Sequence, residues 1–369
     1  MLNILFHSYY IFCLIKESFK VADPCDHFGG FLNNQCNDYF NIVNNDDVCN
    51  SYIYHREYVN DVNSKWQPFV KFFLENGKFY DSFSTILAKN NVFNENIDYI
   101  NEHNKYSNKS YTLGITPFTD MTNEEYIEYI SMYKYDVGTN GCVNQVKGSS
   151  SYPTEVDWRS KGAVTPVKDQ GQCGSCWSFS TTGSVEGIYA IKNGNLQSFS
   201  EQQLVDCSYS YGNHGCNGGL MQNAFAYVHD NGLTTEALYP YTATSSRSSC
   251  KKFEPVTFVS GCVNVIPNEL ELTYAVAKQP VSVSIEADSR SFQLYKSGVY
   301  DDASCGTTLD HGVLAVGYGT EGGKDYWLVK NSWSASWGDE GYIKIFRNSI
   351  ESSTKGMCGI AMDASYPTM

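Results

Sequence analysis

The chain contains thirteen cysteines among 369 residues, and this number limits both the compartment and the way in which it can fold. Cytosolic enzymes keep their thiols reduced and use few of them, so the count favours an oxidising compartment in which disulfides persist. Because thirteen is odd, at least one thiol is free or pairs with another chain. The sequence therefore predicts a disulfide-tied protein in which a catalytic thiol would account for one unpaired cysteine.

The composition is that of an ordinary globular protein with two or three compact units, since 42% of the residues are hydrophobic and 18% are charged. The net charge is −14, the sequence pI is about 4.9, and no long basic run occurs. Such an acidic chain does not attract phosphate groups or anionic lipids. We therefore expect neither nucleic acid nor a membrane as a partner.

The first 65 residues divide into two stretches. Residues 1–22 begin with an apolar run too short to span a bilayer, and we interpret them as a secretory signal, although a basic start and an A-x-A-like cleavage site are missing. Residues 23–65 are rich in Asn and Asp and carry three cysteines whose spacing fits no metal site. We expect a disulfide-tied or disordered extension of unknown role there, with an incorrectly predicted gene start as the alternative.

Residues 66–150 are predicted to form a mainly helical segment followed by a linker. Apolar residues three, four or seven apart predict a helix from Trp66 to about Asn104, with one stripe formed by Phe79, Phe83, Ile86, Phe93, Ile97 and Ile100. Thr122 and Glu125 have the spacing of a capping box. The polar, Gly- and Ser-rich residues 135–152 have linker composition, which places proteolytic maturation near Ser151.

Residues 151–369 have the size of one catalytic unit and change character halfway. The first half, to about Cys262, is helical and Gly-rich. The second half contains alternating or apolar stretches separated by glycines, which predict strands at Val281–Ile285, Val313–Gly319, Tyr326–Lys330 and Tyr342–Phe346. Helices first and strands later predict an α+β unit of two lobes, and the cleft between lobes is a favoured place for a site.

Cys176 is the candidate nucleophile. It follows a Gly-rich run and starts a helical pattern, so the helix dipole and unpaired backbone N–H groups favour its thiolate. Gln170 offers a side-chain amide that can donate to developing negative charge. Cys173 and Cys176 also form a C-x2-C pair, which elsewhere is typical of redox or zinc sites. A zinc site needs a second ligand cluster and a thioredoxin-like site needs a preceding strand, so we predict no metal site.

His311 and Asn331 are the candidates for the base and its orienting partner, although a lone histidine is commonly just packed. An Asn carbonyl can accept from one imidazole nitrogen and leave the other toward the sulfur, so that thiolate and imidazolium form the resting pair. Trp333 would shield this hydrogen bond from water and strengthen it. The sequence thus offers a nucleophile, a base and oxyanion donors for acyl transfer.

Four motifs around these residues resemble, in order, those of papain-family cysteine proteases of the cathepsin L type. They are Gln172-Cys-Gly-Ser-Cys-Trp177, Gly215-Cys-Asn-Gly-Gly219, Leu309-Asp-His-Gly-Val313 and Lys330-Asn-Ser-Trp333. The resemblance covers about residues 66–369. It implies a two-lobed papain-like α+β fold with a helical first lobe and an antiparallel, β-barrel-like second lobe, preceded by a mainly helical propeptide. Ser334 departs from the pattern, which usually has Gly there.

The resemblance also implies roles for the catalytic residues and a set of disulfides. Cys176 would attack the scissile carbonyl, His311 would protonate the leaving amine, and the Cys176 N–H with Gln170 would hold the oxyanion. Water would then hydrolyse the acyl-enzyme. The family pattern pairs Cys173 with Cys216, Cys207 with Cys250, and Cys305 with Cys358. It leaves Cys262 without a partner, and we expect a buried free thiol there.

The substrate cleft is assigned by the same resemblance. Gly218 and Gly219 would let an extended peptide backbone lie close to the wall. The pocket for the second residue before the scissile bond (P2) would be shaped by Leu220, Met221, Ser284, Leu309, Gly312 and Asp363, and we place Trp333 among the substrate-binding residues as well. Most of these are apolar or small and favour Leu or Phe, while Asp363 suggests that a basic residue is also accepted.

We therefore predict a cysteine endopeptidase made as a zymogen, with residues 66–150 as inhibitory propeptide and 151–369 as peptidase. Its expected partners are peptide substrates and its own propeptide; we expect no cofactor, a monomer, and a place in the lysosome, the vacuole or outside the cell. The sequon at Asn108 predicts glycosylation. The alternatives are an aminopeptidase variant, a catalytically silent homologue that binds or stores, and a redox or zinc protein.

Overall fold

The computed structural model describes residues 68–106, 108–130, 141–148, 151–251, 253–347 and 354–369, without the side chain of Phe83. The predicted secretory signal and the Asn-rich extension lie outside these residues. The chain divides into two compact units, residues 1–99 and 100–369, which are described separately. Among the described residues, no helix is long and apolar enough to cross a membrane, and no group of three or more His, Cys, Asp or Glu side chains is placed to hold a metal ion.

The described part of the first unit contains two helices, so the prediction of one continuous helix is wrong. Helix α1 comprises residues 68–75, and helix α2, Phe83–Asn104, continues into the second unit. Gly77 follows α1 with a left-handed backbone (φ +55°), which ends the helix. Phe79 therefore lies between the helices with 87% of its surface exposed instead of in the stripe. The core of this unit is formed by Phe69, Phe72, Ile86 and Phe93.

Six further α-helices lie in the described part of the second unit. They are α3 Asn123–Ile130, α4 Cys176–Asn193, α5 Glu201–Cys207, α6 Met221–Asn231, α7 Glu269–Val276 and α8 Arg290–Gln293. The predicted capping box begins α3. The Thr122 N–H donates to Glu125 Oε2 (2.9 Å), and the Glu125 N–H donates to Thr122 Oγ1 (3.2 Å).

The described strands form one open, ten-stranded sheet. They are β1 Tyr111–Leu113, β2 Val143–Asn144, β3 Val156–Asp157, β4 Gly261–Asn264, β5 Val281–Ile285, β6 Tyr295–Tyr300, β7 His311–Glu321, β8 Lys324–Lys330, β9 Tyr342–Phe346 and β10 Ala364–Thr368. Their order is β1-β6-β9-β8-β7-β5-β10-β4-β2, with β3 paired to β7. The β6–β9 and β2–β4 pairs are parallel. The four predicted strands are confirmed, while the expected barrel-like sheet is open in the part of the chain that is described.

Helix α4 joins the helical first lobe to the strand-rich second lobe. Glycines on its inner side let it approach the sheet closely. A Cβ at Gly187 would lie 2.5 Å from Cγ of Pro280, and one at Gly183 would lie 2.7 Å from Cδ2 of Leu314. On its other side α4 contributes buried Trp177 to the core of the first lobe. The predicted two-lobed α+β arrangement is confirmed, and the N-terminus of α4 lies where the lobes meet.

Four disulfides cross-link the described part of the second unit. Three are the pairs expected from the family pattern: Cys173–Cys216, Cys207–Cys250 and Cys305–Cys358. The fourth joins Cys142 to Cys262, which are 120 residues apart in the chain. The expectation that Cys262 is a free thiol is therefore wrong, because its partner lies in the linker before the predicted peptidase unit. Cys176 is the free cysteine among the described residues.

Residues 111–130, here called the docking segment, lie along the second lobe within the second unit. Strand β1 pairs antiparallel with β6. Gln293 Nε2 donates to the carbonyl oxygen of Phe118 (2.9 Å), and the Tyr126 hydroxyl donates to the carbonyl oxygen of Ala287 (2.7 Å). The segment is thus held by a short ladder of strand pairing and by side chains that satisfy buried backbone groups.

Candidate active site

Cys176 is the first residue of α4 and is completely buried. The Gly312 N–H donates to its Sγ (3.3 Å), so the start of β7 lies against the start of the helix. This contact joins the first lobe to the second. A thiol at this position is surrounded by the unpaired N–H groups of a helix N-terminus, the arrangement for which the sequence singled it out.

His311 begins β7 and Asn331 follows β8, and since these strands pair, the two side chains meet. His311 Nε2 lies 2.8 Å from Asn331 Oδ1, which also accepts from the Ser332 N–H (2.8 Å). An amide oxygen only accepts, so Nε2 carries the ring hydrogen and Nδ1 keeps a lone pair when the ring is neutral. Nδ1 is buried and has no hydrogen-bond partner among the described residues. It is therefore the nitrogen available for proton transfer.

Trp333 stacks on the His311 ring, with the ring centroids 4.4 Å apart and the planes 23° from parallel. The indole is itself almost completely buried. It keeps water from the hydrogen bond between His311 and Asn331, and a hydrogen bond is electrostatically stronger in a less polar environment. This is the contact on which the predicted shielding depends.

Gln170 is fixed by pairing with the chain around Ser332. The Gln170 N–H donates to the Ser332 carbonyl oxygen (2.9 Å), and Ser332 Oγ donates to Gln170 Oε1 (2.7 Å). Because the oxygen end of the amide is held in this way, the nitrogen end faces the Cys173 carbonyl oxygen, to which it donates (3.0 Å). An amide nitrogen carries two hydrogens, so one remains for an oxyanion beside Cys176.

Burial determines the protonation of the catalytic pair in this structure. It raises the pKa of the Cys176 thiol to about 12, an effect that the Gly312 N–H opposes and the Asp310 carboxylate reinforces. It lowers the pKa of His311 to about 4 although the hydrogen bond to Asn331 favours the imidazolium. A dry environment penalises both charges of the predicted thiolate–imidazolium pair, so burial favours the neutral pair in the covered site.

A buried ion cluster fixes the loop before the nucleophile. Lys168 Nζ lies 2.6 Å from Glu201 Oε1 and 3.0 Å from Glu186 Oε1. Burial raises the pKa of Glu201 to about 7 although Lys168 opposes it. Burial would lower the pKa of Lys168, but the two carboxylates outweigh it and keep the ammonium charged. The Lys168 carbonyl oxygen accepts from the N–H of Ser334, whose positive φ (+68°) explains why the family favours Gly there.

Four of the predicted P2 residues lie together, joined by a residue that the sequence interpretation missed. Ser284 pairs with Gly312 across β5 and β7, and a Cβ at Gly312 would lie 3.3 Å from Met221 Sδ. Ser284 Oγ donates to Asp363 Oδ2 (2.9 Å), and Gln222 Nε2 donates to Asp363 Oδ1 (2.8 Å). The position of Gln222 immediately after Met221 on α6 was the one available hint. Two donors therefore hold this carboxylate in place.

The other predicted substrate-binding residues lie in turns and next to the ends of helices and strands. Gly218 has φ +111°, and a Cβ at Gly219 would come within 2.6 Å of a neighbouring side-chain oxygen. Both positions thus need glycine for the turn itself, whatever they do for a substrate. Leu220 precedes α6, and Leu309 packs beside Gly359.

The docking segment reaches the catalytic side chains through aromatic contacts with Trp333. The ring of Phe118 meets the indole edge-on with centroids 5.1 Å apart, and Tyr126 does so at 5.8 Å. The Tyr129 hydroxyl donates to the Gly171 carbonyl oxygen (2.5 Å) in the loop before the nucleophile. Edge-to-face pairs of this kind add to the apolar burial of each ring. The segment therefore covers the site on the side of the histidine.

Comparisons with known proteins agree with this geometry. The papain family cysteine protease model matches residues 152–368, and the cathepsin propeptide inhibitor domain (I29) model matches residues 69–126. Digestive cysteine proteinase 1 of Homarus americanus is 47% identical over 318 residues, which are 83% of this chain and 95% of that protein. The probable cysteine protease RD21C of Arabidopsis thaliana is 49% identical over 305 residues, 81% of this chain and 67% of that protein. The chain spans 60% of the length of two other Arabidopsis thaliana relatives.

The fold is also similar to a solved structure. Digestive procathepsin L 3 from the larval midgut of Tenebrio molitor superimposes with a TM-score of 0.76 and is 41% identical, covering 82% of this chain and 99% of that chain. The similarity extends over the residues before position 151 as well as after it, since 82% of the chain is more than the predicted peptidase unit alone provides.

We expect Cys176 in the unprocessed chain to react slowly with iodoacetamide, and faster as the pH rises. With a thiol pKa of about 12, roughly one molecule in 10⁵ carries the reactive thiolate at neutral pH. The rate should increase about tenfold per pH unit between pH 7 and 10. Mass spectrometry of the Cys176 peptide from the full-length species measures this rate, with Cys176→Ala as the blank for other cysteines. A fast rate that does not change above pH 6 would contradict the neutral pair.

Proposed function

Because the chain belongs to the papain family of cysteine proteases, we propose that it is a cysteine endopeptidase made as a zymogen. The observation that carries the proposal is the buried Cys176 at the start of α4, in contact with Gly312 and next to the hydrogen-bonded His311 and Asn331. The match to a propeptide inhibitor domain over residues 69–126 supports the zymogen form.

The reaction would begin when the docking segment leaves and water enters the cleft. The burial that keeps both groups neutral is then lost, and the Cys176 proton moves to His311 Nδ1. The thiolate attacks the scissile carbonyl, and the imidazolium returns the proton to the leaving amine as the peptide bond breaks. Water, deprotonated by His311, hydrolyses the thioester and regenerates the thiol. Asn331 keeps the imidazole in the required orientation throughout.

The negative charge that develops on the carbonyl oxygen would be held by two donors. One is the Cys176 N–H at the N-terminus of α4, and the other is the second hydrogen of the Gln170 amide. Ser332 fixes that amide in advance, so no reorganisation is needed as the charge develops. Loss of one such donor typically lowers kcat by about 10²- to 10³-fold.

The docking segment would act as an intramolecular inhibitor. It binds through the pairing of β1 with β6 and through the contacts of Phe118 and Tyr126 with Trp333. Trp333 also shields the catalytic hydrogen bond, so the inhibitor binds to the assembled site and needs no rearrangement of it. Propeptide residues 66–150 and a peptidase starting near Ser151 remain the boundaries that we propose.

The P2 pocket would prefer Leu or Phe and would also accept a basic residue. Met221 forms an apolar wall of the pocket, and Gly312 forms a wall without a side chain. Asp363 supplies a carboxylate that accepts hydrogen bonds from Ser284 and Gln222. A carboxylate has further acceptor capacity, so a guanidinium or ammonium can bind as an additional partner.

We propose the cellular compartment of the enzyme from its disulfides and its relatives. Four disulfides in the described residues and relatives named as digestive enzymes fit a lysosome, a vacuole or secretion. Asn108 is exposed, as a glycosylation site must be. We propose a monomer without cofactor.

The alternative functions are less well supported. Cys173 is bonded to Cys216 and cannot form a dithiol or a zinc pair with Cys176. A catalytically silent homologue would be expected to lack the nucleophile or its base, and here both are present. An aminopeptidase needs an element that closes one end of the cleft, and the described residues after Gly219 continue directly into α6.

We expect a thiol-directed epoxide to label the processed enzyme at Cys176 and to abolish peptide hydrolysis in proportion to the labelling. After incubation near pH 5 with a phosphine reductant, which opens the Cys142–Cys262 disulfide, intact-mass analysis should give a fragment that begins near residue 151 and carries one label. Cys176→Ala should lower kcat/KM by about 10⁴-fold or more, because the covalent pathway is lost. Hydrolysis that persists in this variant would mean that another group performs the reaction.

We expect Phe118→Ala to weaken inhibition in the unprocessed chain. Truncating a buried phenylalanine costs about 3–5 kcal/mol, so the docking segment should open more often and epoxide labelling of Cys176 should speed up at least about tenfold. Phe79→Ala is the matched control, because the same substitution in the same propeptide removes a ring that is 87% exposed. Equal labelling rates in the two variants would exclude this role of Phe118.

We expect Asp363→Asn to reduce kcat/KM for peptides with Arg at P2 by about fivefold or more, relative to kcat/KM for peptides with Phe at P2. The amide keeps the size of the carboxylate but removes the charge that binds a guanidinium, and a loss of about 1 kcal/mol corresponds to this factor. The ratio of kcat/KM for two fluorogenic peptides that differ only at P2 measures it. An unchanged ratio would rule out Asp363 as the determinant.

A further inference from the structure

Residues 141–148, here called the anchor segment, are attached to the edge of the sheet in the second unit. Strand β2 pairs in parallel with β4, with Val143 opposite Val263. The pairing extends by one residue, because the Gln145 N–H donates to the Asn264 carbonyl oxygen (2.9 Å). The anchor segment precedes the predicted maturation region near Ser151, so by the proposed boundaries it belongs to the propeptide.

Side chains of the peptidase unit also receive the anchor segment. Gln145 Oε1 accepts from the Ile266 N–H (3.2 Å), and the Gly148 N–H donates to Glu271 Oε2 (3.0 Å). A Cβ at Gly148 would lie 2.3 Å from the ring of Tyr274, so the backbone passes directly over this ring. The anchor segment therefore has a specific binding site on β4 and α7.

The disulfide between Cys142 and Cys262 links the anchor segment covalently to this binding site. Cys262 is buried on β4, while Cys142 is half-buried and packs against the core of the first lobe. A strand of two residues with few hydrogen bonds does not stay bound by itself. The bond is thus a covalent attachment of the anchor segment to the peptidase unit that persists once the chain is cut.

We propose that the Cys142–Cys262 disulfide keeps the inhibitory propeptide attached to the peptidase after the chain has been cut between Cys142 and the mature unit. The inference rests on the proposed zymogen function. Such a cut consumes one water and yields two polypeptides, which the disulfide still joins. Release then needs a second cut before Cys142, or reduction of the bond by two thiols, which gives two cysteine thiols here and one external disulfide.

The tether would keep the enzyme inhibited because it maintains the local concentration of the docking segment. A segment that stays covalently linked remains at an effective concentration of up to about the millimolar range, whereas a free propeptide is diluted to the concentration of the enzyme. At nanomolar enzyme the difference is several orders of magnitude. A cut alone would therefore give a two-chain, largely inactive species, and the redox conditions of the compartment would decide when it becomes active.

Intact mass under non-reducing conditions tests the covalent part without any need for enzyme activity. Cys176→Ala is cut with a trace of trypsin after exposed Lys147, which follows Cys142 in the chain. We expect the cut species to keep the mass of the whole chain plus one water until a phosphine reductant separates it. Cys142→Ser in the same background should separate without reductant. Separation of both variants without reductant would overturn the proposal.

Activity measured at nanomolar enzyme tests the regulatory part. We expect wild-type enzyme, processed near pH 5 without reductant, to gain at least about tenfold in peptide hydrolysis on adding the phosphine. Cys142→Ser should be fully active after processing and change less than about twofold, which also controls for oxidation of Cys176. The same outcome is expected for Cys262→Ser, so a folding defect in one variant does not decide the result.

Two further results would overturn the inference, and a third would separate it from the proposed protease function. A processed wild-type enzyme whose first residue precedes Cys142 would place the disulfide inside the mature chain. Full activity of the cut, unreduced wild type would show that the tether does not inhibit. If the mass experiment succeeds but no variant hydrolyses peptides even after reduction, the tether stands and the proposed protease function fails.

Discussion

The contact between Trp333 and His311, at 4.4 Å between ring centroids, is the interaction on which both the catalytic geometry and its suppression depend. The indole protects the His311–Asn331 hydrogen bond, and its other faces receive Phe118 and Tyr126 of the docking segment. The burial that preserves the hydrogen bond also raises the pKa of the Cys176 thiol and lowers that of the imidazole. The covered site therefore keeps its geometry while the charges that it needs for attack are absent. By the proposed mechanism, exposure to water would restore these charges without any rearrangement of the side chains.

Much of the fold and the site could be predicted because the relevant residues are decided by local pattern. The predicted bounds of strand β9, Tyr342–Phe346, are those of the structure, since Gly341 precedes the strand and its alternating apolar residues leave few alternatives. Helix α4 starts at Cys176, as the change from a Gly-rich run to small and apolar residues indicated. His311 and Asn331 meet because both lie at the ends of strands that pair, and strand ends are visible in the alternation of residues.

The errors arose where distance in the chain or solvent decides the outcome. The apolar stripe continued through Gly77, but one left-handed residue breaks a helix whatever its periodicity, and Phe79 was lost from the core. The expectation of an ionic resting pair considers the helix dipole and the partner alone, whereas burial, which needs the folded structure, raises the pKa of the thiol and lowers that of the imidazole. Cys262 was left unpaired because its partner lies outside the peptidase unit. That unit contains eight cysteines, and with one assigned to catalysis seven remain. Because seven is odd, one of them has to find a partner outside the unit or stay free.

The Cys142–Cys262 bond has a different physical effect before and after the chain between its ends is cut. In the intact chain it closes a loop of 120 residues, and closing a loop of about 100 residues stabilises the folded state by about 4.7 kcal/mol in the chain-entropy account. A cut within the loop removes that restraint on the unfolded chain, and the bond then only holds two polypeptides together. The hydrogen bonds of β2 are too few to do this. Cleavage thus converts a stabilising cross-link into a covalent attachment of the propeptide, and this is why a bond at the edge of the sheet can govern a site that it does not touch.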